Sequence, residues 1–143
     1  MYRFNLESLL NHRRYQEEIL QRELADLKQR LAAEKNKWQL LKKKMRKYLQ
    51  DLKQKQKKGH RASEIKLFFD FVEHISNETH AQHRKVIGAE QAFFLKREEL
   101  IAAMKKRKAL EKLKAKGWQA YQQKQIKKER DFMDEVAGRR FHF

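Results

Sequence analysis

Residues 6–52 read LESLLNHRRYQEEILQRELADLKQRLAAEKNKWQLLKKKMRKYLQDL. Steps of four and three from Leu6 reach Leu10, Arg13, Glu17, Leu20, Leu24, Leu27, Leu31, Glu34, Trp38, Leu41, Met45, Tyr48 and Leu52, and only Arg13, Glu17 and Glu34 are not apolar or aromatic. A stripe this narrow and this long is a heptad seam, which needs a partner helix because it cannot enclose a globular core. The pattern stops at KQKKGHRAS, residues 55–63, where Gly59 suits a helix end and Ser63 is predicted to cap the next helix. A second seam follows through Ile65, Phe68, Val72, Ile75, Thr79, Gln82, Val86, Ala89, Phe93, Lys96, Leu100, Ala103, Arg107 and Leu110.

Two long helices with a short connection become antiparallel neighbours. The expected fold is therefore all-α, a single antiparallel two-helix coiled-coil hairpin over 1–143, with helix 1 about 5–57, a tip at 58–62 and helix 2 about 63–137. At about 1.5 Å per residue the helices would run ~80 and ~110 Å, so the second overhangs the first. Antiparallel pairing about the tip opposes residues whose numbers add to about 119. It sets Trp38 against Ala81, places Glu34 near Lys85, and leaves helix 2 without an intramolecular partner beyond about residue 114. Trp118, Tyr121, Ile126, Phe132, Met133 and Val136 would then either find another surface or stay exposed to water. Gly88 and Gly117 each weaken helix 2 by roughly 1 kcal/mol relative to Ala.

Composition agrees with long helices: among 143 residues there is no Pro and there are only four Gly. No apolar run approaches the length of a membrane span and the start has no hydrophobic signal core, so a soluble cytoplasmic protein is expected. The absence of Cys rules out disulfides and thiolate metal sites. The net charge of +17 is concentrated in two blocks, thirteen basic against two acidic residues in 35–66 and ten against one in 105–128. Such blocks fit an acidic partner, whether nucleic acid, anionic lipid or an acidic protein groove.

No phosphate-binding glycine loop is present. His80 and His83 share a helix face in HAQH, but helix 1 offers Lys37 and Gln39 opposite them rather than a third ligand, so neither a metal nor any other cofactor is expected. Ser8, Ser63 and Ser76 have no base partner, and a two-helix rod encloses no pocket, so catalysis is not expected. One apolar surplus remains at the tip, in KLFFDFVEHI, residues 66–75. Phe68, Val72 and Ile75 serve the seam, whereas Phe69 and Phe71 fall on its flanks, either widening the tip core over Tyr48 and Leu52 or presenting a partner-binding patch.

The two chain ends carry a resemblance. The opening YRFNLESLLNHRRYQEE, with Tyr2, Phe4, Leu6, Leu9 and Leu10, and the close KKERDFMDEVAGRRF, with Asp134, Glu135, Ala137, Arg140 and Phe141, resemble the start and end of the FliJ family of bacterial flagellar export proteins. The resemblance implies an antiparallel coiled-coil rod similar to the stalk of rotary ATP synthases. Such a rod docks in the hexameric ring of the export ATPase, promotes its assembly and activity, connects it to the cytosolic domain of the export gate, and handles export chaperones. It also implies a cytoplasmic protein peripherally associated with the inner membrane at the flagellar basal body. Carried over residue by residue, it implies a gate-binding tip formed by Leu41, Tyr48, Phe71 and Ile75, with departures at Lys44 and Glu78. The ring-facing end is expected in the basic overhang and tail, with Lys124, Lys127, Lys128, Asp134, Glu135, Arg140 and Phe141. Two alternatives stand beside it: a sequence-blind nucleic-acid-binding coiled coil, and the equivalent stalk of a virulence secretion system.

Overall fold

The structure is a computed structural model that describes residues 1–59 and 61–141, with side chains through 139 apart from residue 60. It is all-α: α1 spans Glu7–Lys57, α2 spans Ala62–Phe141, and no strand occurs among the described residues. The two helices pack against each other as a helical hairpin. Gly59 has φ 69°, the left-handed conformation that terminates a helix without strain only at Gly. The amides of Glu64 and Ile65 both donate to the carbonyl of Arg61, at 3.1 and 3.2 Å. Arg61 is therefore the cap residue of α2, and Ser63 lies inside its first turn instead of capping it. Among the described residues no helix is long and apolar enough to cross a membrane.

Tertiary contacts gather the chain into two units, Met1–Ile19 with Leu100–Phe143, and Leu20–Glu99. In the second unit the seam predicted from the sequence is the buried face. Ile75 and Val86 are 2% exposed, and Leu52 and Ala89 are buried with them. Polar breaks in one seam are answered across the pair. The Gln82 side-chain amide donates to the carboxylate and the backbone carbonyl of Glu34, and Lys96 meets Glu23 at 2.7 Å and Glu99 at 3.2 Å. Glu34 is thus held by Gln82, about a turn from the Lys85 named from the register. Trp38 stacks on His83 with ring centroids 4.5 Å apart and an interplanar angle of 20°, two residues beyond Ala81, because a flat imidazole covers an indole better than a methyl does. The Lys42 ammonium lies 3.2 Å from the Trp38 ring centroid.

In the first unit Leu10 is fully buried and Glu17 is buried beside it. Glu17 is paired with Arg107 at 2.5 Å, and Arg107 also holds Glu111 at 2.9 Å. Glu7 takes Lys114 at 2.8 Å. Here the structure corrects the expected overhang. The Tyr2 hydroxyl donates to the carbonyl of Lys114 at 3.2 Å, and its ring meets Trp118 edge-on at 5.6 Å and Tyr121 at 5.7 Å. Residues 1–6 precede α1, and from there Tyr2 extends the contact made by α1, so α2 is partnered as far as Tyr121 rather than to about 114. Gly117 is the condition for this fit, because a Cβ there would run into the Tyr2 hydroxyl. Beyond Tyr121, residues 122–135 are exposed throughout.

Candidate functional site

Within the second unit, α1 and α2 bring Leu41, Tyr48, Phe71 and Ile75 to the part of the hairpin nearest the turn, but not to equal exposure. Ile75 belongs to the buried seam, and its carbonyl accepts a 2.7 Å hydrogen bond from the Thr79 hydroxyl. It is available to no partner while the helices are closed. Leu41 and Tyr48 are seam residues with partly exposed edges. Phe71 leans on Tyr48 in a T-shaped contact, with centroids 4.8 Å apart and an interplanar angle of 72°, and keeps 41% of its surface exposed. Phe68 approaches the same Tyr48 ring at 5.9 Å, and the Lys55 ammonium stands 4.3 Å from the Phe68 centroid. Tyr48, Asp51, Gln54, Lys55, Lys58 and Phe68 line a shallow hollow beside this cluster.

Neither flanking phenylalanine completes a closed core. Phe69 is 51% exposed, and Phe71 is fixed on one side only. An aromatic ring braced by a neighbour and open on its outer face presents apolar area at little cost in side-chain entropy, which is the property of an interaction anchor. The cluster is bordered by charge as well as by the exposed Leu67 and Phe69. Lys44 is exposed on α1, and Glu78 is held by His74 at 2.9 Å on α2.

In the first unit, Lys124, Lys127, Lys128, Asp134 and Glu135 are all exposed on α2 beyond the paired part, and Ile126, Phe132 and Met133 are exposed among them. Arg140 and Phe141 are helical, and their side chains lie outside the described residues. Among the described residues no group of three or more His, Asp or Glu is placed to hold a metal ion, and His83 is engaged by Trp38.

A model of the flagellar FliJ protein family matches residues 2–142, which is nearly the whole chain. The chain belongs to the flagellar FliJ family. Neither the curated proteins nor the solved structures yield a match. Membership makes this a coiled-coil protein related to flagellar export, in a family of structural rather than catalytic components. The Tyr2 contact is the element that sequence reasoning missed. Continuing the second seam past Leu110 by the same steps reaches Lys114, Gly117 and Tyr121, and a glycine at a seam position facing an aromatic N-terminus was the available signal.

Proposed function

We propose that the chain is a non-enzymatic stalk of the flagellar protein export apparatus. On this reading the exposed end of α2, from Lys124 through Lys127, Lys128, Asp134 and Glu135 to Arg140 and Phe141, docks in the hexameric export ATPase and promotes its assembly and activity. The aromatic cluster near the turn engages the cytosolic domain of the export gate, with Phe71 and Tyr48 as contact residues, Leu41 at their margin, and Ile75 supporting them from within the seam. The same protein receives emptied export chaperones, and it is held peripherally at the inner membrane through the gate.

The observation that carries the reading is the family match over residues 2–142. A half-exposed Phe71 braced on Tyr48 supports the gate-binding part. The test compares two variants in gate binding, ATPase stimulation and thermal melting. Phe71→Ala is expected to keep the melting temperature within a few degrees and to retain ATPase stimulation. Its gate affinity is expected to fall about thirtyfold, the loss of ~2 kcal/mol that marks an anchor residue. Ile75→Ala is expected to lower melting and both activities together. Unchanged gate binding by Phe71→Ala overturns the anchor, and failure of the wild-type chain to retain the export ATPase in a pull-down overturns the stalk.

A further inference from the structure

The outward face of α1 is a second surface, unrelated to the aromatic cluster. Lys43, Arg46, Lys47, Lys53 and Lys57 recur at helical spacing with Gln50 and Gln54 between them, on the side of α1 opposite the seam residues Leu41, Met45, Tyr48 and Leu52. All five cations are exposed, and among the described residues none of them forms an ion pair. The one carboxylate between Leu40 and Lys57 is Asp51, which is partly buried, lines the hollow beside Tyr48, and stands at the edge of the stripe one turn from Lys47. The stripe therefore extends about 21 Å with a single carboxylate, at its edge and in no ion pair with it. Leu40 stands on the same face at its far end and is 65% exposed.

Like charges along one helix face repel each other, and among the described residues no ion pair relieves these five. Three features decide which anion fits. Four of the five cations are lysines, whose long aliphatic stems let the ammonium reach a headgroup while the stem lies along apolar surface. The face is open, with no aromatic ring on it to stack a base. Leu40 gains nothing beside a phosphate backbone in water, but it enters the boundary between headgroups and acyl chains. We infer that the outward face of α1 from Leu40 to Lys57 docks flat on an anionic phospholipid surface, with the lysines in the headgroup layer and Leu40 below it. This contact needs no gate protein and stands independently of the role proposed for Phe71.

The experiment is flotation of the full chain with vesicles of phosphatidylglycerol and phosphatidylcholine, against vesicles of phosphatidylcholine alone, at physiological salt. Binding is expected only to the anionic vesicles. The triple variant Lys43→Glu, Lys47→Glu, Lys53→Glu is compared with a control of equal charge change, Lys105→Glu, Lys106→Glu, Lys108→Glu, whose lysines are also exposed. Since each basic residue at an anionic surface is worth about fivefold in partitioning, the first triple is expected to lose vesicle binding more than tenfold and the control less than about threefold. Circular dichroism of both triples should match the parent, because Glu and Lys are comparable helix formers. Leu40→Gln is expected to weaken vesicle binding severalfold and to leave binding of duplex DNA unchanged. Equal losses in the two triples would reduce the effect to overall net charge and overturn the site. A Leu40→Gln chain that binds vesicles as the parent does, or duplex DNA bound more tightly than vesicles through the same three lysines, would overturn the lipid assignment.

Discussion

Gly88 and Gly117 occupy the same helix and have opposite justifications. A Cβ at Gly88 meets nothing within 4 Å, so Gly88→Ala is expected to stabilise the protein by about 1 kcal/mol through helix propensity alone, read as a shift in urea midpoint at constant m-value. At Gly117 the same gain is offset, because the added methyl displaces the Tyr2 hydroxyl from the Lys114 carbonyl, a hydrogen bond worth about 1 kcal/mol, and disturbs its contacts with Trp118 and Tyr121. Gly117→Ala is therefore expected to be near neutral in the parent. In a Tyr2→Ala background it should stabilise by the ~1 kcal/mol seen at Gly88. Equal stabilisation by Gly117→Ala in both backgrounds would mean that Tyr2 does not rest on Gly117 in solution. Both glycines read from the sequence as propensity defects of equal size. The difference was illegible there because it depends on a contact between residues 2 and 117.

The seams were legible almost residue by residue, because burial in a two-helix pair has a single period and a single direction. Of the predicted seam positions only Leu6, which precedes α1, is exposed. What the period could not give was depth. Two helices cover each other less completely than a globular core does, so Leu27 and Leu31 remain partly exposed, whereas Leu10 and Ile75 are sealed. Leu10→Ala and Ile75→Ala are accordingly expected to cost about 2–5 kcal/mol in chemical denaturation, and Leu27→Ala clearly less. A Leu27→Ala cost equal to that of Leu10→Ala would contradict the burial pattern. The polar interruptions were legible as interruptions but not as pairs, since Glu17 with Arg107 and Glu34 with Gln82 depend on side-chain reach across the interface. The Arg107 guanidinium, and secondarily Arg14, hold the Glu111 carboxyl below its usual 4.5. A carboxylate depressed in the folded state contributes its stability above its unfolded pKa and loses it as pH falls through the folded one. Melting temperature should therefore decline below about pH 4.5 less steeply in Glu111→Gln than in the parent, and parallel acid limbs would remove Glu111 from the linkage.

For the whole chain, the question is how much of α2 is fold and how much is left for partners. Charge counting placed a basic block at 105–128, and the antiparallel register left everything past about 114 unpartnered. The contacts move that limit to Tyr121, so the basic block straddles it: Lys114 pairs with Glu7, while Lys124, Lys127 and Lys128 lie beyond it and are exposed. The sequence missed this because the partner is not a continuation of α1 but the short segment before it, which has no helical period to follow. Two truncations separate the roles. A chain ending after Gln123 keeps every described contact of Tyr2 and loses a segment whose residues 124–135 are all exposed, so its melting temperature should stay within a few degrees of the parent, with ellipticity falling by no more than the share of the residues removed. A chain ending after Lys114 also loses Gly117, Trp118 and Tyr121. It should release Tyr2 and melt measurably lower, because a helix end without tertiary packing is marginal in water. If residues 124–141 carry the docking proposed for the export ATPase, both truncations abolish ATPase stimulation although the longer one is fully folded. Both are also expected to bind the gate through Phe71 as the parent does. Normal stimulation by the chain ending after Gln123 would move the ATPase contact away from the tail, and cooperative unfolding of that same chain would show that the exposed part of α2 is needed for the fold after all.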